Sequence, residues 1–301
     1  MELLLFLAAS LRISVPYALS AVGAAFSERG GVVNIALEGI MLHGALAYTL
    51  VAFWTGDPWL GLGAAVLAGV LTSGLHALVT VGIKADQITS GLGINLLAAG
   101  LTRFVLIQVF HSSSNSPRVV GLPEWSLFGL ARLPAIGPTL GAPLVLIAIA
   151  LTLAAQWVVF RSVFGLRLRS TGERPEAAAS LGLSVPLYRT LGVLLSGALA
   201  GLAGAWLASE QHSFTDGMTG GRGYIAIAAM IVGKWSPLGA AAACLLFGAA
   251  EALQIGLQGS GFPSEPLQTL PYLVTMLALA GFIGRAVPPR AVGVPYDPER
   301  S

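Results

Sequence analysis

The chain is short of charge. Only 10% of its residues are Asp, Glu, Lys or Arg, where water-soluble domains carry about a quarter, and 55% are hydrophobic. Seven windows contain no charged residue at all: Gly39–Gly56, Pro58–Ile83, Gln87–Thr102, Leu133–Phe160, Thr190–Ser209, Trp235–Ala250 and Pro266–Gly284. Cysteine is nearly absent. Cys244 stands alone in an apolar run, which excludes a disulfide framework and a cysteine metal site. No Gly-x-x-x-x-Gly-Lys-Ser/Thr loop is present to cradle a nucleotide phosphate, and no soluble domain of useful size is visible, so ATP chemistry is not expected on this chain. Short alternating segments, the mark of a membrane barrel, are missing too.

What is present is length in the apolar runs. A membrane helix needs about 20 mostly apolar residues. The runs Leu3–Phe26, Asn34–Trp54, Trp59–Ile83, Ile88–Phe110, Thr139–Phe160, Leu187–Ala208, Tyr224–Val232, Leu238–Gln258 and Gln268–Ile283 predict an all-α, polytopic helical membrane protein of about 8–10 segments. Tyr224–Val232 is too short to cross and precedes the helix-breaking turn Gly233-Lys234-Trp235-Ser-Pro237, which predicts a broken or dipping helix pair. The first run ends near the small residues Ala18-Leu-Ser-Ala21. With Glu2 at its start and no basic residue before Arg12, it reads as a retained helix rather than a cleaved leader.

Charge placement orients the chain. Arg161, Arg167, Arg169, Arg174 and Arg189 cluster in and beside one loop, which marks the cytoplasmic side. Lys84-Ala-Asp86, Arg285, Arg290 and the tail then lie inside, and 111–138 and 210–222 outside, with Trp125 and Phe128 as interfacial anchors. A faint echo links Arg29–Ala45 with Arg222–Ala240. It suggests one transmembrane domain over 1–301 with parallel repeats at about 1–86 and 187–286, linking helices at 87–160 and a loop at 161–186. If the echo is real, the N-terminus lies inside and Gly30–Trp54 is broken. If not, the N-terminus lies outside and 34–54 is one ordinary span.

The loop carries Arg169-Ser-Thr-Gly172-Glu173-Arg174-Pro175-Glu176-Ala177-Ala-Ala-Ser-Leu-Gly182. Pro175 suits a first helical turn, Glu173 and Glu176 its positive end, and Ala177–Ala179 its body. Within the apolar runs the polar exceptions are Asn34 and Glu38, four apart on one helix face, together with Asn95 and Glu251. Such residues either line a polar route or bond neighbouring helices. His43 and His76 lack a second ligand at helical spacing, Arg103 reads as snorkelling or paired near the outer surface, and Trp235 as an interfacial anchor.

Three segments carry a family resemblance. Phe26-Ser27-Glu28-Arg29-Gly-Gly-Val-Val-Asn34-Ile-Ala-Leu-Glu38-Gly39 resembles the first signature of ABC-importer permeases of the branched-chain amino acid, simple sugar and nucleoside class. Gly221–Ala240 resembles the second, and the Gly172–Gly182 stretch resembles the coupling loop between them. The Ser-Glu-Arg form is similar to the nucleoside-type branch, with Ser27, Glu28, Asn34, Glu38 and Gly39 at matching positions. The resemblance implies alternating access in a bacterial inner membrane. Gly172, Glu173, Pro175, Glu176, Ala177 and Gly182 would form the surface docking an ATPase, and Asn34, Glu38, Asn95 and Glu251 would lie along the route. It also implies a second permease subunit, an ABC ATPase carrying ATP and Mg, and an extracytoplasmic substrate-binding protein. No cofactor would sit on this chain, and nucleic acid is not among the expected partners. The alternatives are a sugar permease of the same fold and an ion-coupled transporter using Glu38 or Glu251.

Overall fold

The computed structural model describes residues 2–125, 137–258, 269–270, 273–274, 276–277, 280 and 286–297. The expectations for Phe128 and Arg285, and most of that for Gln268–Ile283, fall outside them. The elements are α1 (Glu2–Arg29), α2 (Leu37–Thr55), α3 (Pro58–Ala77) running into a π turn (Leu78–Gly82), α4 (Gln87–Phe110), α5 (Gly137–Gly141), α6 (Pro143–Arg161), α7 (Val163–Glu173), α8 (Pro175–Ser180), α9 (Val185–Gln211), α10 (Arg222–Val232) and α11 (Pro237–Leu257). Among the described residues, seven helices are long and apolar enough to cross a membrane.

Local chemistry sets the boundaries. Asp57 accepts from the Trp59 N–H at 2.8 Å and Pro58 opens α3. Asp86 accepts from the Thr89 N–H at 2.7 Å, which holds its carboxyl below the ordinary aspartate range. Ser236 caps α11 through the Gly239 N–H at 3.0 Å, with Pro237 in its first turn.

Two long helices organise the bundle. Arg12 of α1 pairs with Glu210 at the far end of α9 at 2.6 Å, while Phe26 lies by Gly192 near the start of α9. The two are therefore antiparallel. α9 packs on α2 and α3, and α1 packs on α10 and α11. Glycine makes the first seam close: a Cβ on Gly201 would strike the Ala65 carbonyl, and one on Gly204 the Met41 carbonyl.

α2 holds 19 residues, about 28 Å, and runs without interruption once it starts after the break at 30–36. α1 begins beside the far end of α9 and ends beside α7, so its N-terminal end lies away from the arginine-rich loop. α1 and α9, which open the two units of the sequence echo, run in opposite senses.

Candidate functional site

α10 has 11 residues, about 16 Å, half the hydrocarbon thickness. Its last turn meets the start of α11 at Gly233, beside the end of α1, where Arg29 donates to the carbonyls of Trp235 (2.8 Å) and Lys234 (3.1 Å). Its first turn therefore begins near the bilayer midplane. There the free N–H groups of a helix start have no water to bond. The Glu38 carboxylate supplies the partner: Oε1 accepts from the Gly221 N–H and Oε2 from the Gly223 N–H, both at 2.7 Å. A Cβ on Gly223 would lie against the Glu38 backbone, so this approach requires glycine.

Asn95 of α4 braces the same place. Its Oδ1 accepts from the Gly39 N–H at 2.8 Å, and its Nδ2 donates to the Ile35 carbonyl at 3.0 Å and to the Tyr224 hydroxyl at 2.9 Å. Tyr224 lies exposed on the open face of α10. Glu251 accepts from the Tyr17 hydroxyl and pairs with Arg222 at 3.0 Å. Asn34 is 1% exposed; its Nδ2 donates to Ser196 Oγ at 3.0 Å, and its Oδ1 has no partner. Glu38, Asn95 and Glu251 thus converge on the start of α10, each bonding neighbouring helices, while Asn34 joins α9.

The sequence reading missed Arg222, whose place beside Glu251 depends on tertiary packing alone. It also placed Trp235 at the interface. The indole is instead buried and donates to Glu28 Oε2 at 2.6 Å, because the reversal after α10 turns it into the bundle. His43 bonds Thr72, and His76 is held between Ser90 and the Val33 carbonyl. Arg103 faces Asp216 at 3.9 Å near the outer end of α4. Among the described residues no cluster of three or more metal-ligating side chains occurs.

The arginine-rich loop forms two helices, α7 and α8, broken at Arg174. Ser162 caps α7 through the Gly165 N–H at 3.0 Å, and Pro175 opens α8. Glu173, Glu176, Ala177 and Gly182 are exposed, Gly182 with φ +80°, whereas Pro175 is buried. Gly172 is also buried, against the Arg29 carbonyl at the end of α1, and the Thr171 hydroxyl lies 3.3 Å from the Gly30 carbonyl in the break before α2. Leu181 is 82% exposed at the tip. The loop therefore has an outward surface and an inward contact on the chain that leads to Asn34 and Glu38.

The family model for the branched-chain amino acid transport system permease component matches residues 6–281. The chain is 40% identical to the guanosine ABC transporter permease protein NupQ of Bacillus subtilis, over 96% of this chain and 95% of that one. It is 42% identical to the nucleoside ABC transporter permease protein NupC of Lactococcus lactis, over 94% and 93%. It is 32% identical to a putative glucose ABC transporter permease protein of Haloferax volcanii, over 90% and 89%.

Proposed function

Since the chain belongs to the permease-component family of branched-chain amino acid transport systems, we propose that it is the membrane-spanning subunit of an ATP-driven importer of nucleosides in a bacterial inner membrane. Two relatives named for guanosine and nucleoside transport stand at 40% and 42% identity, and the glucose-named one at 32%, which favours nucleosides over sugars. The structural observation that carries the reading is a half-helix beginning at mid-depth, held by Glu38 and reached from the arginine-rich loop through the break at 30–36.

Its working partners are a second permease subunit, an ATPase subunit binding ATP and Mg, and an extracytoplasmic substrate-binding protein. Glu173, Pro175, Glu176, Ala177 and Gly182 shape the surface that docks the ATPase, and Gly172 seats that surface on the break. Substrate passes the face where Asn95, Tyr224 and Glu38 meet, with Asn34 deeper in the bundle and Glu251 fixing the wall through Arg222. A nucleoside is uncharged and rich in hydroxyls, so amide, hydroxyl and backbone groups match it without binding it tightly. An ion-coupled mechanism is disfavoured because both Glu38 and Glu251 are engaged with protein donors.

The test is uptake of radiolabelled nucleosides, glucose and leucine into proteoliposomes holding the complete complex, with and without internal ATP. ATP-dependent nucleoside uptake is expected. Preferential sugar or leucine uptake, or uptake driven by an ion gradient alone, rejects the assignment.

A further inference from the structure

Residues 286–297 lie across the arginine-rich face and are held at four points. The Ala291 N–H donates to the Gly172 carbonyl at 2.8 Å, and the Gly293 N–H to the Gly31 carbonyl at 3.3 Å. The Val294 carbonyl accepts from Arg189 Nη1 at 2.7 Å, and Asp297 pairs with Lys84 at 2.7 Å. The four anchors are the end of α7, the break before α2, the start of α9 and the turn between the π turn and α4. They are far apart in sequence, and the segment draws them together.

Arg189 is the knot. It is 2% exposed, and besides Val294 it donates from Nη2 to the Thr171 carbonyl at 3.4 Å. Its guanidinium also lies against Gly31, where φ is +95° and a side chain would collide with it. One side chain thus joins α7, α9, the segment and the break.

Arg290 shares in the outward surface. It lines a cavity of about 430 Å³ with Glu173, Arg174, Ala177 and Leu181, and a second of about 240 Å³ with Glu173, Glu176 and Tyr296. The projecting Leu181 amid these charges is the arrangement of an interface: an apolar anchor with a polar rim.

We propose that segment 286–297 is part of the coupling element. With α7 and α8 it forms one composite docking surface for the ATPase subunit, and through Arg189 it ties that surface to the break that leads to Asn34 and Glu38. The partner's matching site is an apolar socket for Leu181 with an acidic group facing Arg290. A displacement of α7–α8 is then delivered to Gly31 along two routes, the Gly172 contact and the segment itself, rather than absorbed at the Arg174 break. This rests on the ATP-driven reading above.

The experiment uses the reconstituted complex and measures ATPase co-purification, ATP hydrolysis and nucleoside uptake for wild type, Arg290→Glu, Arg189→Lys and a chain stopped after Val287. Arg290→Glu is expected to weaken ATPase retention by about tenfold, since it sets like charges against each other. Arg189→Lys keeps the charge but loses the fork, and should lower uptake per ATP hydrolysed by about fivefold with assembly intact. The stopped chain should show both defects. Normal retention and a normal transport ratio in Arg290→Glu and Arg189→Lys overturn the proposal, whether or not the stopped chain inserts. A wild-type complex that moves substrate without ATP overturns the importer reading as well, and so separates the two failures.

Discussion

Glu38 and Arg189 each hold a break in the helices, but with opposite charge and at opposite depths. Glu38 lies near the midplane and accepts from two N–H groups at the start of α10. Arg189 lies at the arginine-rich face and donates to the carbonyls of Thr171, near the end of α7, and Val294. A helix start leaves N–H groups bare and a helix end leaves carbonyls bare, so the sign of the complement follows from which end is broken. The difference also concerns exposure. The Arg189 cluster ends on the exposed Val294, whereas the Glu38 carboxylate is taken up by two backbone donors inside the bundle.

That contrast can be broken most sharply at Glu38. Glu38→Ala leaves two N–H groups unpartnered and should cost on the order of 3 kcal/mol, read as a lower melting temperature of the detergent-solubilised chain. Glu38→Gln retains an acceptor and should recover part of the loss. Melting of Glu38→Ala at the wild-type temperature would show that α10 is held elsewhere. Arg189→Met should cost less, about 2 kcal/mol, and should free the C-terminal segment so that trypsin cleaves after Arg290 faster than in wild type. Unchanged cleavage would mean that the backbone bonds at Ala291 and Gly293 hold the segment unaided. Asn95→Ala, which removes one acceptor from Gly39 and the donor to Tyr224, should cost about 1 kcal/mol, with the greater effect on uptake per inserted protein. Smallest is Lys84→Ala. Its pair with Asp297 is partly exposed and should be worth less than about 1 kcal/mol, so a larger shift in melting would reassign weight to the turn before α4.

The shortness of α10 and the Gly233–Pro237 reversal were legible because length, Gly and Pro are local signals. Glu38, Asn95 and Glu251 drew notice as polar residues in apolar runs. What they do was not legible: Glu38 finds its partners in the backbone N–H groups of Gly221 and Gly223, which only tertiary packing brings to it, although the close approach needs glycine at 223. Arg189 counted only as one more cytoplasmic charge, for the same reason. The direction of α1 was not legible either, because it follows from which end of α9 it meets, a tertiary contact that composition does not encode.

The two longest helices carry a further consequence. α1 and α9 hold 28 and 27 residues, about 42 and 40 Å, against a hydrocarbon layer of about 30 Å. They are in close contact, the small Gly23 of α1 lying against Ser196 of α9. A pair so joined cannot shorten; it meets a thinner bilayer by tilting as a unit. Because α9 carries α2 and α3 while α1 carries α10 and α11, that tilt takes both groups along together and leaves the contact between Glu38 and α10 closed.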